Sequence, residues 1–150
     1  MAIHRFTREE IIAAPPPFFR WRYRVRIQDV DAAGIVFFAR YLEIFHDGLF
    51  AFLADAGVDL VALLSPEAPL APVKHAELDY FRPLRFGDEV ELGPVIARLE
   101  TTQASVGYRM MEVSSGELVA LAQIAHVAVT PRSFERTEMP EALREAFSRL

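Results

Sequence analysis

The chain contains no cysteine, and this absence excludes several kinds of chemistry. Without thiols, its 150 residues cannot form a disulfide, a thiolate metal site or a cysteine nucleophile. No serine lies in a G-x-S-x-G sequence, and neither G-x-G-x-x-G nor a Walker loop occurs. The 4 histidines lack the H-x-H and H-E-x-x-H spacings of zinc sites. We therefore expect no bound metal and no cofactor.

Long apolar runs and an excess of positive charge are also lacking. No stretch of about 18 apolar residues occurs, and the N-terminal MAIHRFTREE carries acids instead of the apolar core of a secretory signal. The formal net charge is -5, whereas nucleic-acid binding favours a basic face. We expect a cytoplasmic protein that binds neither membranes nor nucleic acids. The 52% of hydrophobic residues suffices for the core of one domain.

We predict an N-terminal arm over residues 1–19 and a single domain over residues 20–150. The T-x-x-E spacing that begins at Thr7 is that of a capping box, which predicts a short helix from Arg8 to Ala13. The three prolines from Pro15 to Pro17 then end this helix and impose an extended backbone. The arm is either a tail or an element that packs on a partner subunit.

In the first part of the domain, apolar residues recur at every second position, and in the next part they recur at helical spacing. From Arg20 to Ile27, arginines alternate with apolar residues, which predicts a strand with one face on a core. After Gly34, apolar residues recur at helical spacing as far as Gly57, so a long helix is predicted to start near residues 37–39. Gly48 in its middle indicates close approach by a strand or by a second copy of the helix.

Four further strands are predicted after this helix. Strand-forming runs separated by turn signals cover Val73–Phe81, Asp88–Leu99, Gln103–Val113 and Leu118–Thr130. Pro94 places the second run at a sheet edge or a β-bulge, and the nearly continuous apolar last run is typical of a strand covered on both faces. Residues 59–72 either border a pocket or only connect, and Pro140 opens a final helix. This order predicts an α+β fold.

The stretch DVDAAGIVFFARY joins an acidic loop directly to the start of the long helix. Its two aspartates, Asp29 and Asp31, precede a turn of small residues that ends at Gly34. A carboxylate held beside the unpaired N–H groups of a helix start lies where a carbonyl group can be both polarised and attacked. This stretch is therefore the candidate site for chemistry.

Together with LDYFRPLRFGDEVEL and HVAVTPRSFERTEMPEAL, this stretch resembles the hot-dog-fold acyl-CoA thioesterases of the 4-hydroxybenzoyl-CoA thioesterase family. The resemblance covers about residues 20–147 and implies a five-stranded antiparallel sheet wrapped around one long central helix. It also implies hydrolysis of an acyl-CoA to the free acid and coenzyme A. A homodimer or a tetramer with active sites between subunits is expected, because pairing would protect an exposed sheet edge.

The resemblance assigns the catalytic carboxylate to Asp31 and the carbonyl-polarising contact to the backbone N–H of Phe38. An ionised aspartate either attacks the thioester directly or activates a water, and the sequence leaves both routes open. Asp29 is expected to order the loop, because aspartate commonly bonds its own turn backbone. Gly34 allows the tight turn and a close approach of the backbone to substrate.

Further candidate substrate contacts are Phe37, Tyr41 and His46. Phe37 and Phe38 either line the acyl pocket or belong to the core, and this pair resembles the branch that acts on aromatic acyl groups. The expected substrate is thus an aryl or short-chain acyl-CoA. His46 either orients substrate or Asp31, or is structural.

Coenzyme A carries phosphates, so basic side chains should gather where it binds. The candidates are Lys74, Arg82, Arg85, Arg132 and Arg136. Each of them either contacts a phosphate of coenzyme A or is a solvated surface residue. A different function remains open, that of a hot-dog module which binds acyl groups or assembles with a partner without hydrolysis. A dehydratase is disfavoured, because that chemistry uses a histidine where this loop carries aspartates.

Overall fold

Four helices and five antiparallel strands account for most of residues 2–15 and 19–150, which are the residues that the computed structural model describes. The elements in chain order are α1 (Arg8–Ala13), β1 (Trp21–Arg24), α2 (Arg40–Asp55), α3 (Leu60–Leu63), β2 (Val73–Tyr80), β3 (Glu89–Leu99), β4 (Gln103–Glu112), β5 (Leu118–Val127) and α4 (Glu141–Phe147). Pro16 and Pro17, predicted to extend the arm, lie outside the described residues. No helix in these two ranges is long and apolar enough to cross a membrane.

The strands form one sheet in the order β1-β3-β4-β5-β2, and every neighbouring pair is antiparallel. The 16-residue helix α2 packs on one face of this sheet. The predicted α+β fold, with a five-stranded antiparallel sheet around one long helix, is confirmed. β1 and β2 are the two edge strands, so each has a row of backbone groups without a partner in this sheet.

One broad face of α2 forms the centre of the core. Ile44, Phe45 and Leu53 of the helix are almost fully buried among apolar side chains from β3, β4 and β5. The close approach predicted at Gly48 is made by a strand, because a Cβ at this position would lie 2.7 Å from Cδ1 of Leu92 in β3. Glycine at this position therefore lets helix and sheet pack closely.

The first strand is shorter than predicted. The alternation from Arg20 to Ile27 predicted a strand over that whole range, but β1 ends at Arg24. Its partner β3 begins opposite Arg24, and Gly87 before β3 adopts a left-handed φ of 88°. Val25 is still held by Asp88, whose carbonyl accepts its N–H at 2.8 Å. The chain then bends into a 3-10 turn, which leaves Ile27 66% exposed.

The predictions for the later strands are confirmed within a few residues. Pro94 lies at a β-bulge, where the register with β4 shifts between Pro94 and Ile96. The last strand, β5, is covered on both faces, by α2 on one side and by the arm on the other. The loop over residues 59–72 includes α3 and lines a cavity.

The N-terminal arm packs on the face of the sheet that points away from α2. Val106 and Tyr108 of β4 belong to the core around α2, so Gly107 between them faces the opposite side. Ile11 of α1 lies over this glycine, where a Cβ would stand 3.1 Å from the Ile11 Cγ1. Phe6 packs in the same outer cluster. The arm is thus the outer cover of its own sheet, as well as carrying the predicted capping box.

Polar side chains of the sheet receive the arm. Phe6 donates its N–H to Oε1 of Gln123 at 2.9 Å, and Nε2 of Gln123 donates to the Phe6 carbonyl at 2.9 Å. Nη1 of Arg109 donates to three carbonyls at the end of α1. They are those of Ile11 at 3.2 Å, Ile12 at 2.8 Å and Ala14 at 2.8 Å. A helix end leaves such carbonyls without partners, so Arg109 caps α1.

Replacing Arg109 with alanine should loosen the arm from the sheet. Hydrogen bonds from a charged donor are worth about 1.5–3 kcal/mol, so docking of α1 should weaken by about 2 kcal/mol. Amide hydrogen exchange should speed up in residues 8–14 and stay slow in α2. Arg8→Ala is the matched control, because its ion pair with Asp79 is solvent-exposed. Equal exchange in wild type and Arg109→Ala would contradict the capping role.

Candidate active site

The acidic loop folds back on itself before it enters α2. Val30 and Val36 form an isolated antiparallel bridge, and Asp31 donates its N–H to the Ile35 carbonyl at 3.0 Å. The Gly34 N–H donates to the Asp31 carbonyl at 2.9 Å. Gly34 has a φ of 78°, a left-handed conformation that other residues adopt only with strain. The loop is therefore a tight hairpin whose turn begins at Asp31.

Asp31 is solvent-exposed at the start of this turn. Its Oδ1 accepts the Ala33 N–H at 2.8 Å, which fixes the side chain against the turn. Among the described residues, its Oδ2 accepts no hydrogen bond and the carboxylate forms no ion pair. One oxygen of a held carboxylate is therefore available to a substrate or a water molecule.

The backbone at the start of α2 carries an unpaired donor. The helix begins at Arg40, and no side chain of the described residues caps it. In the part of the chain that the structure describes, the Phe38 N–H has no hydrogen-bond acceptor. The neighbouring peptides are held, because the Phe37 N–H donates to the Asp29 carbonyl at 2.9 Å and the Tyr80 hydroxyl donates to the Phe38 carbonyl at 2.7 Å. The free N–H thus lies on a fixed backbone at the positive end of the helix dipole.

Asp29 lies beneath the loop and is 1% exposed. One carboxylate oxygen accepts the Tyr23 hydroxyl at 2.5 Å and the Arg26 N–H at 2.7 Å, and the other accepts Nε of Arg40 at 2.7 Å. Burial raises the pKa of Asp29, but the hydrogen bonds from Tyr23, Arg26 and Arg40 outweigh it, so the net shift is downward. The buried carboxylate is charged, and it joins β1 to the first residue of α2.

Two residues that position the site were not found from the sequence. Arg40 follows Asp29 by eleven positions, and no periodic pattern links a loop residue to a helix residue at that distance. Tyr80 ends β2, forty-two positions after Phe38, and its ring packs edge-on against Tyr41 with centroids 5.1 Å apart. Only the LDYFRP stretch of the family resemblance pointed to this region, and it singled out no role for Tyr80.

The predicted substrate contacts differ in their exposure. Phe37 and Phe38 are both exposed, so neither belongs to the core, and their ring centroids lie 4.7 Å apart. Tyr41 is 3% exposed and packs inside the core, where burial raises the pKa of its hydroxyl to about 12. His46 is exposed on α2, and its ring packs against Phe50 with centroids 4.8 Å apart. Phe37 and Phe38 are thus available to a ligand near Asp31, whereas Tyr41 is buried and packs against Tyr80.

The candidate cations for coenzyme A lie at two ends of the chain's fold. Arg85 follows Leu84, whose carbonyl accepts the Val36 N–H at 2.8 Å, so Arg85 lies near the acidic loop. Arg82 lies near the same end and forms an ion pair with Glu117. Both arginines follow the Tyr80 end of β2, whose hydroxyl bonds the Phe38 carbonyl.

The other three candidates lie toward the opposite end of β2. Lys74 is exposed near the start of that strand. Arg132 pairs with Glu67 at 3.4 Å, and Arg136 donates to the Thr102 hydroxyl at 3.1 Å. Within one chain these residues are not brought together with Arg82 and Arg85. No group of three or more histidine or acidic side chains in the described ranges is arranged to hold a metal ion.

The sequence is similar to a family of thioester hydrolases over most of its length. A family model described as the thioesterase-like superfamily matches residues 25–147. A 1,4-dihydroxy-2-naphthoyl-CoA hydrolase from Rippkaea orientalis is 35% identical over 122 residues, or 81% of this chain and 88% of the relative. The hydrolase of the same name from Acaryochloris marina is 35% identical over 120 residues, or 79% and 88% of the two chains.

Solved structures resemble this fold closely. A 1,4-dihydroxy-2-naphthoyl-CoA thioesterase from Synechocystis has a TM-score of 0.81 and 25% identity, covering 87% of this chain and 95% of that one. A gentisyl-coenzyme A thioesterase has a TM-score of 0.74 and 25% identity, covering 86% and 99%. The predicted hot-dog fold is therefore confirmed.

The Asp29→Asn substitution should destabilise the protein, because it leaves Arg40 without its buried counter-charge. Breaking a buried pair from one side costs about 3–5 kcal/mol. The pKa of Asp29 is lowered in the folded state, so its charge stabilises the fold at pH values above the ordinary pKa of 3.8, and this contribution is lost as the pH falls through the folded pKa. In denaturant unfolding, the free energy of unfolding of the wild type should thus exceed that of Asp29→Asn at pH 7, and this difference should shrink below about pH 4.

Asp31→Asn is the matched control for this measurement, because Asp31 is exposed and forms no ion pair among the described residues. Its free energy of unfolding should stay within about 0.5 kcal/mol of wild type. Equal losses for the two substitutions would contradict the separate roles of the two aspartates.

Proposed function

This chain belongs to the thioesterase-like superfamily, and we propose that it hydrolyses an aryl-CoA thioester to the free acid and coenzyme A. The predicted enzyme class, a thioester hydrolase, is confirmed by the curated relatives. The acyl group and the roles of single residues are proposed. The observation that supports them most directly is the loop in which an exposed Asp31 precedes a helix start whose Phe38 N–H has no acceptor among the described residues.

In the proposed reaction, the thioester carbonyl oxygen accepts the Phe38 N–H. Negative charge grows on that oxygen as the tetrahedral species forms, so a fixed N–H at the positive end of a helix stabilises the transition state more than the substrate. Because Tyr80 and Asp29 hold the peptides on either side, little reorganisation is needed when the charge develops.

Asp31 acts on the carbonyl carbon by one of two routes. In the first, its carboxylate attacks the carbon, the C–S bond breaks, and coenzyme A leaves as a thiolate; water then hydrolyses the mixed anhydride. In the second, Asp31 takes a proton from a water molecule whose oxygen attacks the same carbon. Both routes consume one water and need one charged, accessible oxygen, which the Oδ2 of Asp31 supplies.

An aromatic acyl group fits the surroundings of the loop. The rings of Phe37, Phe38 and Tyr80 are each more than two-fifths exposed close to the Phe38 N–H. Exposed aromatic side chains grouped in this way favour an aromatic ligand or a partner surface. The relatives named above act on aromatic acyl-CoA thioesters, which supports the same acyl class here.

We propose that the active form is a homodimer or a larger assembly paired through β2. Among the described residues this strand pairs only with β5, so its other edge is open there. Antiparallel pairing of two β2 strands would satisfy that edge and join the two sheets. It would also bring the end that carries Lys74 next to the end that carries Arg85 of the other copy, which groups cations for coenzyme A.

Asp31→Asn should abolish thioester hydrolysis. Asparagine keeps the shape but is neither a nucleophile nor a base of useful strength, so kcat should fall by about 10³-fold or more. Thiol release from a panel of aryl-, short-chain and long-chain acyl-CoAs measures this loss and the acyl preference together. Asp55→Asn, an exposed acid on α2, is the matched control and should keep full activity.

Binding of acyl-CoA without any hydrolysis by the wild-type protein would favour the non-catalytic module instead. Retention of activity by Asp31→Asn would show that another group performs the chemistry.

Tyr80→Phe should lower kcat and leave KM nearly constant. The ring and its contact with Tyr41 stay, but the Phe38 carbonyl loses its hydrogen bond. A neutral hydrogen bond is worth about 0.5–1.5 kcal/mol, so kcat should fall about two- to tenfold. Steady-state kinetics on the preferred aryl-CoA measure the effects on kcat and KM separately. A rise in KM at constant kcat would instead make Tyr80 a binding contact.

A further inference from the structure

A groove of about 590 Å³ lies on the face of the sheet that points away from α2. Its position follows from the alternation along β1, because Trp21 and Tyr23 pack toward α2 whereas Arg20 and Arg22 line the groove. Pockets for small ligands measure about 300–1,000 Å³, so this outer groove has the size of a binding site. None of the described residues that line it belongs to the acidic loop or to the start of α2.

Apolar side chains line much of the outer groove. Val95 of β3, Met111 of β4 and Leu118 of β5 come from the sheet, and Ile12 comes from the arm. Val95 belongs to the outer cluster under the arm, and Leu118 packs against that cluster. Ile12 is 48% exposed, although it is apolar. The outer groove therefore offers an apolar surface that the body of a ligand would cover.

Charged side chains line the same groove, with an excess of one positive charge. The cationic ones are Arg20, Arg22 and Arg109, and the anionic ones are Glu91 and Glu112. Glu91 is shared between Arg20 at 3.4 Å and Arg22 at 2.8 Å. Glu112 pairs with Arg82, which lies outside the groove, at 3.9 Å. Neither acid is therefore left to neutralise the third arginine.

Arg109 is the cation without a counter-ion. Its Nη1 donates only to the neutral carbonyls that end α1, and in the described part of the chain Arg109 forms no ion pair. The N–H groups on its Nε and Nη2 have no acceptor among the described residues. Burial lowers the pKa of Arg109, and the nearby charge of Arg20 lowers it further. Because a guanidinium stays charged at pH 7, a half-buried and uncompensated positive charge lies beside the apolar surface.

We propose that the outer groove binds an amphipathic carboxylate. The carboxylate lies between Arg20 and the free edge of Arg109, whose planar N–H groups match the two carboxylate oxygens. The apolar body lies on the side chains that the strands β3, β4 and β5 contribute. One carboxylate balances the excess of one positive charge, whereas a phosphate monoester brings about 1.5–2 negative charges. The ligand also contacts Ile12, so it holds α1 on the sheet.

Two sources of ligand share this chemistry. One is an aryl carboxylate such as the product of the proposed reaction, and the other is a fatty acid. The site does not depend on hydrolysis by this chain, because none of the described residues that line the groove takes part in the proposed reaction.

NMR titrations of the whole ¹⁵N-labelled chain with 2-naphthoate and with decanoate test the site and separate the two sources. The amide resonances of Gly93, Met111 and Gly116 report on the outer groove, and those of Gly34 and Phe38 report on the acidic loop and the helix start. At least one acid should shift the groove resonances saturably, and the acid with the lower Kd identifies the source. 2-Naphthamide and decanamide, which lack the charge, should bind the groove about tenfold more weakly than the matching acid.

Arg20→Glu tests the charge that the proposal requires. It places a carboxylate of the chain itself near Arg109, so the Kd of the acid for the groove should rise about tenfold or more. Arg24→Glu is the matched control, because Arg24 is exposed on the same face of β1 and changes the net charge equally but does not line the groove. Its Kd should stay within about twofold of wild type. Equal rises in the two variants would show an effect of net charge and overturn the site.

Hydrogen exchange of the arm gives a second readout. A ligand that binds only the docked arm, at ten times its Kd, should slow amide exchange in residues 8–14 about tenfold. The same concentration should leave this exchange nearly unchanged in Arg20→Glu. Occupancy of the groove without slower exchange would overturn the contact with Ile12.

The absence of saturable shifts in the groove resonances with either acid would overturn the proposal. Shifts confined to the acidic loop and the helix start would show binding at the candidate active site only, and would overturn it as well. Groove resonances that move with protein concentration and do not respond to either acid would show that a second copy of the chain covers the groove. That result would also overturn the proposal.

Discussion

The contact between Asp29 and Arg40 is the one on which the candidate site depends. It links the 3-10 turn that follows β1 to the first residue of α2 at 2.7 Å, with the acid 1% exposed. The Asp29 carbonyl also accepts the Phe37 N–H, so one residue holds both the helix start and the peptide before the unpaired Phe38 N–H. Removing a charge from such a buried pair leaves its partner uncompensated. The backbone geometry that we propose to polarise a carbonyl is therefore maintained by a residue that need not touch the substrate.

Two aspartates of one short loop have opposite environments. Asp29 is buried and bonded by Tyr23, Arg26 and Arg40, so its charge serves structure. Asp31, two positions later, is exposed, and only Oδ1 is bonded among the described residues. Environment rather than residue type separates a positioning carboxylate from one that can react. The two ends of β2 also differ, because the Tyr80 hydroxyl donates to the Phe38 carbonyl while Val73 lines a cavity.

The periodic parts of the chain were predictable, and the contacts between distant residues were not. The arm helix, the sheet strands and the close approach at Gly48 follow from local patterns of polarity and from glycine placement. The end of β1 did not, because the alternation continues to Ile27 although the partner strand stops. Tyr80 and Arg40 were missed, since their contacts depend on tertiary structure. The packing of the arm on its own sheet likewise depends on Gln123 and other residues far along the chain.

The central claim is that the Phe38 N–H binds the thioester carbonyl oxygen. A phenacyl-CoA analogue, in which a methylene separates the carbonyl from sulfur, keeps that oxygen and resists hydrolysis. In protein labelled with ¹⁵N at its 12 phenylalanines, the amide proton of Phe38 should move downfield by more than any other when the analogue binds. Saturating binding that leaves the Phe38 amide resonance in place would contradict the account.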